Sequence, residues 1–355
     1  MSDERLTLLR AAMRKEKLDG MLVSTRTNAL YLSRFSSSNC VVLVTRRDAF
    51  FLTDFRYIEK ATQQISGYKV LRMTQNATGE LRDLIRKVGV KRLGFEGGIT
   101  YDQFKRFKKA AGRTTFIEAG NILRELRSIK EPAETKQIAK NQKLNQALCD
   151  LILQTAQPGE TEFDIQRKVR RLMFINRVEE AFETIAATGQ NTSLPHATPG
   201  KTKIRTGDYL LIDMGVRDRL YHSDLTRTAC VGEASPQHRE VYEIVKAAQI
   251  AALKKIRPGA LCKDVDAAAR TIISDAGYGE QFGHGLGHGV GLEIHEAPTL
   301  NPRSEEILRE GMVVTVEPGI YIPGFGGVRI EDLVVVTKKG FRNLTTLSKD
   351  LRLIS

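Results

Sequence analysis

Two helical stretches, about 134–156 and 237–256, each run into a Pro-Gly pair, Pro158-Gly159 and Pro258-Gly259, one hundred positions apart. Pro-Gly stops a helix, and in both copies a second helix follows, containing Asp164-Ile165 in one and Asp264-Val265 in the other. Each copy then continues into a pair of strand-like runs. One such match is cheap by chance. The repeated order of helix, Pro-Gly, helix and strand pair predicts a duplicated half-domain.

The remaining chain needs a second domain, because 355 residues exceed one ordinary hydrophobic core. Residues 1–126 read as a small α/β domain. Leu6, Leu9, Met13 and Leu18 form a helical stripe, and Gly20–Val23, Val41–Thr45, Phe50–Thr53 and Arg92–Phe95 read as strands. Helical patterns at Tyr57–Ile65 and Thr78–Val88 alternate with them, as in a sheet flanked by helices. The break at Arg127-Ser128-Ile129-Lys130-Glu131-Pro132 opens the second domain, 127–355.

The strand pairs of that domain carry acids. Tyr209–Arg217 and Leu220–Val231 flank Asp218-Arg219; a two-residue turn there sets Asp213 directly opposite Asp224, Cβ atoms about 5 Å apart. Asp is a poor strand residue, and two facing carboxylates repel. A shared proton or a multivalent cation must compensate. The second copy repeats the pattern, with Met312–Glu317 ending in Glu-Pro-Gly, Pro318–Gly326 read as a loop, and Gly327–Thr337 containing Glu331. One proton cannot neutralise four convergent acids, so metal is the better account.

Three of only six histidines fall in Phe282–His295, a run with five glycines that argues against a plain helix or central strand and allows close backbone approach. No Gly-Lys-Ser/Thr follows to cradle phosphate. The zinc-protease helix is absent too, since Thr299 stands where His295-Glu296 would need a second His. His222 shares the strand face of Asp224 and reads as structural; His238 reads as an exposed residue at a helix start.

Composition excludes several classes. Hydrophobic residues are 41% and charged residues 27%, no apolar run approaches the roughly 20 residues of a membrane span, and the N-terminus has no apolar signal core. Four cysteines without CxxC spacing suggest neither a disulfide framework nor a zinc knuckle, which fits a cytoplasmic protein. The net charge of +13 is read as Lys and Arg spread along the whole chain, with clusters Lys105–Lys109 and Arg167–Arg171 on solvated helix faces, so specific nucleic-acid binding is not expected.

Asp213, Asp224, His288, Glu317 and Glu331 resemble, in order and spacing, the five metal ligands of the pita-bread metallopeptidases, the family of aminopeptidase P, prolidase and methionine aminopeptidase. The supporting strings are Leu-Ile-Asp-Met-Gly (211–215), Ser-Asp-Leu-Thr-Arg-Thr (223–228), His-Gly-Leu-Gly-His (284–288), Glu-Pro-Gly (317–319) and Val-Arg-Ile-Glu-Asp (328–332). The resemblance implies an α/β fold: an N-terminal creatinase/prolidase-like domain before a pseudo-twofold pita-bread domain. It also implies a homodimer and two divalent ions, Mn²⁺ first, with Co²⁺, Fe²⁺ or Zn²⁺ as alternatives, which suits an oxygen-rich donor set. Asp224 and Glu331 would bridge the ions, Asp213 completing one and His288 with Glu317 the other. A hydroxide shared by the ions would attack the scissile carbonyl, with Glu317 as proton shuttle. His196 and His295 match the family's two non-ligand histidines, which would hydrogen-bond the carbonyl oxygen or gem-diolate. His284 and Arg329 match further active-site positions and are read as substrate-binding, Arg329 with the alternative of neutralising Glu331 or Asp332. The expected substrates are peptides with proline second, cleaved by an Xaa-Pro aminopeptidase; a dipeptidase (prolidase) is the alternative and a non-enzymatic binding module the rival of another class. The Asp54-Phe55-Arg56-Tyr57 string and the loop Arg34–Cys40 weigh toward small bacterial aminopeptidases P. That loop lacks the family's usual glycines, and Val178–Phe182 is more acidic than the family pattern; both bear on substrate preference alone.

Overall fold

A computed structural model describes residues 4–355. The chain divides into two compact units, one ending at Arg127 and one running Ser128–Ser355.

The first unit has helices α1 (Glu4–Lys15), α2 (Arg26–Ser33), α3 (Ile58–Gln64), α4 (Ala77–Lys87), α5 (Tyr101–Ala111) and α6 (Gly120–Ser128). Its strands are β1 (Gly20–Val23), β2 (Cys40–Thr45), β3 (Ala49–Thr53), β4 (Lys69–Arg72), β5 (Arg92–Phe95) and β6 (Thr115–Glu118), in the order β4-β3-β2-β1-β5-β6. Strand β2 alone runs against its neighbours. The apolar stripe of α1 buries Leu6, Leu9 and Met13, while Leu22, Leu43, Leu52, Leu81 and Phe107 build a core between the sheet and α4 and α5. Lys105, Arg106, Lys108 and Lys109 lie exposed on α5. The positive charge is not spread evenly: residues 1–127 hold 25 Lys and Arg against 13 Asp and Glu, so +12 of the net +13 belongs to this unit.

The second unit is duplicated. Its first half comprises α7 (Pro132–Thr155), α8 (Glu162–Ile175), β7 (Glu179–Glu180), β8 (Ile185–Thr188), β9 (Tyr209–Met214), β10 (Val216–Asp218), β11 (Tyr221–His222) and β12 (Leu225–Val231). The second comprises α9 (Pro236–Leu253), α10 (Cys262–Asp275), β13 (Gly287–Gly289), β14 (Glu296–Leu300), β15 (Val313–Val316), β16 (Gly319–Ile322), β17 (Gly326–Arg329), β18 (Asp332–Thr337) and β19 (Gly340–Asn343); β20 (Arg352–Ile354) returns beside β12. The sheets run β20-β12-β9-β8 and β14-β13-β15-β18-β19, with the smaller β11-β10-β7 and β16-β17. Both Pro-Gly turns take the same form. Gly159 and Gly259 sit at φ 91° and 85°, and their N–H groups donate to Ile204 and Leu308. Behind the sheets, Cys149, Ile152, Ile165 and Val169 pack on Leu210 and Ile212 in one half, while Val245, Ala252, Val265 and Ala269 pack on Val314 and Val316 in the other.

Four local expectations need correction. The hairpin turn is Arg219-Leu220, both at positive φ, so Asp218 pairs with Tyr221 and Asp213 faces Thr226 rather than Asp224. A shift of two residues preserves the face, so Asp224 still points to the side of Asp213. Residues 318–326 are not all loop, because Gly319–Ile322 forms a hairpin with β17. His288 does lie in an inner strand, β13, where glycine allows the crowding: a Cβ on Gly287 would collide with the Thr315 carbonyl oxygen. His238 is half-buried against Tyr209 and Phe325, its Nδ1 2.7 Å from the Ser235 hydroxyl at the start of α9. The acidic Glu179-Glu180 is accounted for locally, by Arg217 and Arg170.

Candidate metal centre

Three of the four acids stand where a strand breaks or ends, and Asp213 stands two residues before a break. The run 209–218 is interrupted at Gly215, 221–231 at Ser223-Asp224, and 326–337 at Ile330-Glu331, while Glu317 follows the last residue of β15. A broken strand leaves backbone groups to be satisfied otherwise. Gln142 of α7 does this for Asp224, accepting from its N–H at 3.2 Å and donating to its carbonyl at 2.9 Å. The Glu331 N–H donates to the Thr226 carbonyl.

The breaks bring the acids together. Asp213, Asp224 and Glu331 are buried, and each offers an oxygen within 4.8 Å of the others. His288 Nε2 lies 3.2 Å from Glu317 Oε1 and 3.6 Å from Asp224 Oδ2, joining the remaining two donors to the cluster. His288 Nδ1 is 3.1 Å from the Gly289 carbonyl, which can only accept, so Nδ1 carries a proton, and in the neutral ring that binds metal the Nε2 lone pair faces the acids. Thr315 Oγ1 accepts from the His288 N–H and donates to Glu317 Oε1; Thr226 Oγ1 donates to Glu331 Oε2 at 2.8 Å.

The electrostatics of this cluster call for cations. Burial, then Glu331, Asp213 and Glu317, push Asp224 well above the ordinary carboxylate range; burial, then Glu317 and Asp213, do the same to Glu331. Asp213 is raised by burial against the opposing pull of Arg329. Glu317 is the exception: burial works against ionisation, yet a protonated His288, through its hydrogen bond and charge, holds it down to about 2. Asp213 Oδ1 and Glu331 Oε1 are buried without any hydrogen-bond partner. Buried polar atoms are rarely left so, and carboxylate oxygens aimed into a shared space with an imidazole nitrogen fit divalent metal.

Around the donors, Arg329 is wholly committed within the protein. Its Nη2 donates to Asp213 Oδ2 at 2.6 Å, Nε to Thr226 Oγ1, and Nη1 to Tyr321 Oη and to the Pro195 carbonyl. It neutralises neither Glu331 nor Asp332; the latter pairs with Arg227 at 2.9 Å and Lys349 at 2.7 Å. His284 has both nitrogens engaged, Nδ1 with the Gly285 carbonyl and Nε2 with Tyr321 Oη. His295 is exposed, its ring centroid 4.4 Å from that of His288. Burial and the neighbouring His288 lower its pKa, and His196 is exposed next to Pro195, whose carbonyl accepts from Arg329 Nη1. His222 is buried against the Gly291 carbonyl, away from the donors. Sequence reasoning assigned no role to Thr226, Thr315, Tyr321 or Gln142. Thr226 and Thr315 each stand two residues from a ligand on one strand face, which is the signal that could have found them.

A group of four carboxylates and one imidazole, with Asp213, Asp224 and Glu331 buried and Glu317 and His288 half-buried, fits a divalent-metal hydrolase centre on a duplicated half-domain. Residues 136–338 match the model of Metallopeptidase family M24, and residues 5–129 match the Creatinase/Prolidase N-terminal domain. The chain belongs to metallopeptidase family M24. It is 35% identical over 362 residues to a Xaa-Pro dipeptidase of Pyrococcus horikoshii, spanning 98% of this chain and 99% of that one. Among solved structures, a Xaa-Pro dipeptidase from Bacillus anthracis superposes with TM-score 0.95 at 37% identity, covering 99% of each chain. An X-Pro aminopeptidase from Thermotoga maritima superposes with TM-score 0.89 at 32% identity, covering 97% of this chain and 100% of that one. No helix among the described residues is long and apolar enough to cross a membrane.

Proposed function

We propose that the protein is a Xaa-Pro dipeptidase, hydrolysing dipeptides whose second residue is proline. The observation that carries this is the intact donor set, Asp213, Asp224, His288, Glu317 and Glu331, on a chain similar over nearly its full length to proteins named Xaa-Pro dipeptidase. This reverses the order of the sequence reading, which put the aminopeptidase first. The Asp54-Phe55-Arg56-Tyr57 string behind that preference forms a local knot, in which Arg56 and Asn39 bind the Asp54 carboxylate. The Thermotoga maritima likeness favours Xaa-Pro aminopeptidase as the second reading. A purely binding module has no use for buried, unpartnered carboxylate oxygens.

In this reading Asp213, Asp224, His288, Glu317 and Glu331 would together hold the divalent metal. When bound, such ions supply Lewis-acid polarisation of the scissile carbonyl and acidify a water at neutral pH. Arg329 holds Asp213 in place, while Tyr321 ties Arg329 to His284, so we assign Arg329 and His284 a positioning role rather than direct substrate binding. Glu317, with Oε1 also accepting from the Thr315 hydroxyl, is the group that would take a proton and return it to the leaving nitrogen. His295, neutral at pH 7 by its lowered pKa, and His196 donate hydrogen bonds to the substrate carbonyl from the rim.

Mass-spectrometric cleavage of Gly-Pro and Arg-Pro-Pro, with added Mn²⁺ and with a chelator, tests this. Hydrolysis of Gly-Pro alone, lost on chelation, is the expected result. Release of Arg from the tripeptide makes the protein an aminopeptidase, and no cleavage of either by metal-loaded protein overturns both readings.

A further inference from the structure

We infer that the first unit carries a second small-molecule site, for a monocarboxylate with a compact apolar body, in a cavity of about 230 Å³ at the C-terminal edge of its sheet. This inference does not rest on the peptidase reading. Strands β1 and β3 both end at this edge, at Ser24 and Asp54, and open α/β sheets commonly receive ligands there. Val41 and Leu52 from the sheet and Leu81 and Phe107 from α4 and α5 line the cavity, so most of the ligand must be apolar. At about 30 Å³ per water, the volume holds roughly eight non-hydrogen atoms, below the range of drug-sized pockets.

Polar atoms set the sign of the head group. Ser24 lines the cavity, and its Oγ is buried without a partner. Arg106 lines the same cavity, is exposed, and has no partner among the described residues. Asp54 is already occupied, its two oxygens accepting from Arg56 and Asn39, so it has little to offer a ligand ammonium. The unit's excess of 25 Lys and Arg over 13 Asp and Glu adds a field that draws anions. An uncommitted guanidinium above an apolar pocket selects a carboxylate on a short hydrocarbon.

Isothermal titration of the full chain with 4-methylpentanoate and its neutral amide tests the site. The acid should bind at least about tenfold more tightly than the amide, as expected for one charge-assisted hydrogen bond. Arg106→Gln, a surface change that leaves the fold and Xaa-Pro cleavage intact, should erase that preference, and Ala77→Leu should abolish binding of both by filling the cavity. Equal binding of acid and amide, a preference that survives Arg106→Gln, or no heat at millimolar acid would each overturn the inference.

Discussion

The two halves of the second unit share one frame and differ at the positions that make the chemistry. Gly207 and Gly311 both open their strands at positive φ, and β9 and β15 deliver Asp213 and Glu317 to equivalent ends. In the first half Ala187 sits opposite Leu211; continuing the pairing of Gly289 with Val314 puts His288 opposite Thr315, the matching place in the second. The pairing of Val316 with Asp332 likewise continues to Glu317 beside Glu331, where the first half sets Asp213 against Thr226 and displaces its acid to Asp224. The duplication supplies a symmetric pair of carboxylate-bearing strands. Single departures from it give the two halves different side chains at matching places, an imidazole in one and none in the other.

Abolishing the shared acid should have the largest effect. Glu331→Gln or Asp224→Asn removes a donor common to both positions; metal content by mass spectrometry should collapse and dipeptide hydrolysis fall by about a thousandfold or more, the scale of several kcal/mol of Lewis-acid stabilisation. Full activity in either variant would sink the assignment of these residues. His288→Ala makes the second half match Ala187 of the first, and should reduce bound metal from two equivalents toward one, leaving the Asp213 side loaded. Arg329→Gln frees Asp213 without touching a donor and should cost about 10–100-fold in metal affinity or activity. Arg329→Lys should not restore it, since one ammonium cannot reach Asp213, Thr226 and Tyr321 together. Recovery in the Lys variant would reduce Arg329 to a point charge.

The frame was legible because it is written in local signals. Pro-Gly pairs, strand-like runs and acids in strands carry physical meaning over a few residues, and the glycines around His288 announced close approach. The register was not legible: Arg219-Leu220 adopts positive φ without the Gly or Asn that marks such turns, so the expected turn fell one residue early and the pairing two. Strand β16 was hidden by the Pro and Gly around it, and with it Tyr321, the link between Arg329 and His284. The two-sided hold of Gln142 on Asp224 joins residues 82 apart in sequence, and no periodicity reports such a contact.

The helices behind the two sheets give the finest test of the comparison. On α7, Asn141, Gln142 and Asn145 face the first-half strands and bond their interrupted backbone, Asn145 Nδ2 reaching the Met214 carbonyl at 2.8 Å. One hundred positions on, α9 presents Val241, Tyr242 and Val245, because the second-half break is satisfied without α9: the Ile330 and Glu331 N–H groups donate to the Pro318 and Thr226 carbonyls, and Arg227 Nη1 donates to the Glu331 carbonyl. Asn145→Val, which copies the second half into the first, should therefore orphan the Met214 carbonyl and cost about 1–3 kcal/mol. Thermal unfolding of the chelated protein would register this as a fall of about 2–4 °C per kcal/mol. The opposite sign is expected at Gln249, where α9 carries a fully buried amide whose nitrogen and oxygen have no partner among the described residues and whose counterpart on α7 is Cys149. Gln249→Met keeps the unbranched shape and removes both polar atoms, and should raise stability by about 1 kcal/mol. A loss of that size instead would mean that the amide is satisfied, and that the second half also keeps a polar group behind its sheet for a reason of its own.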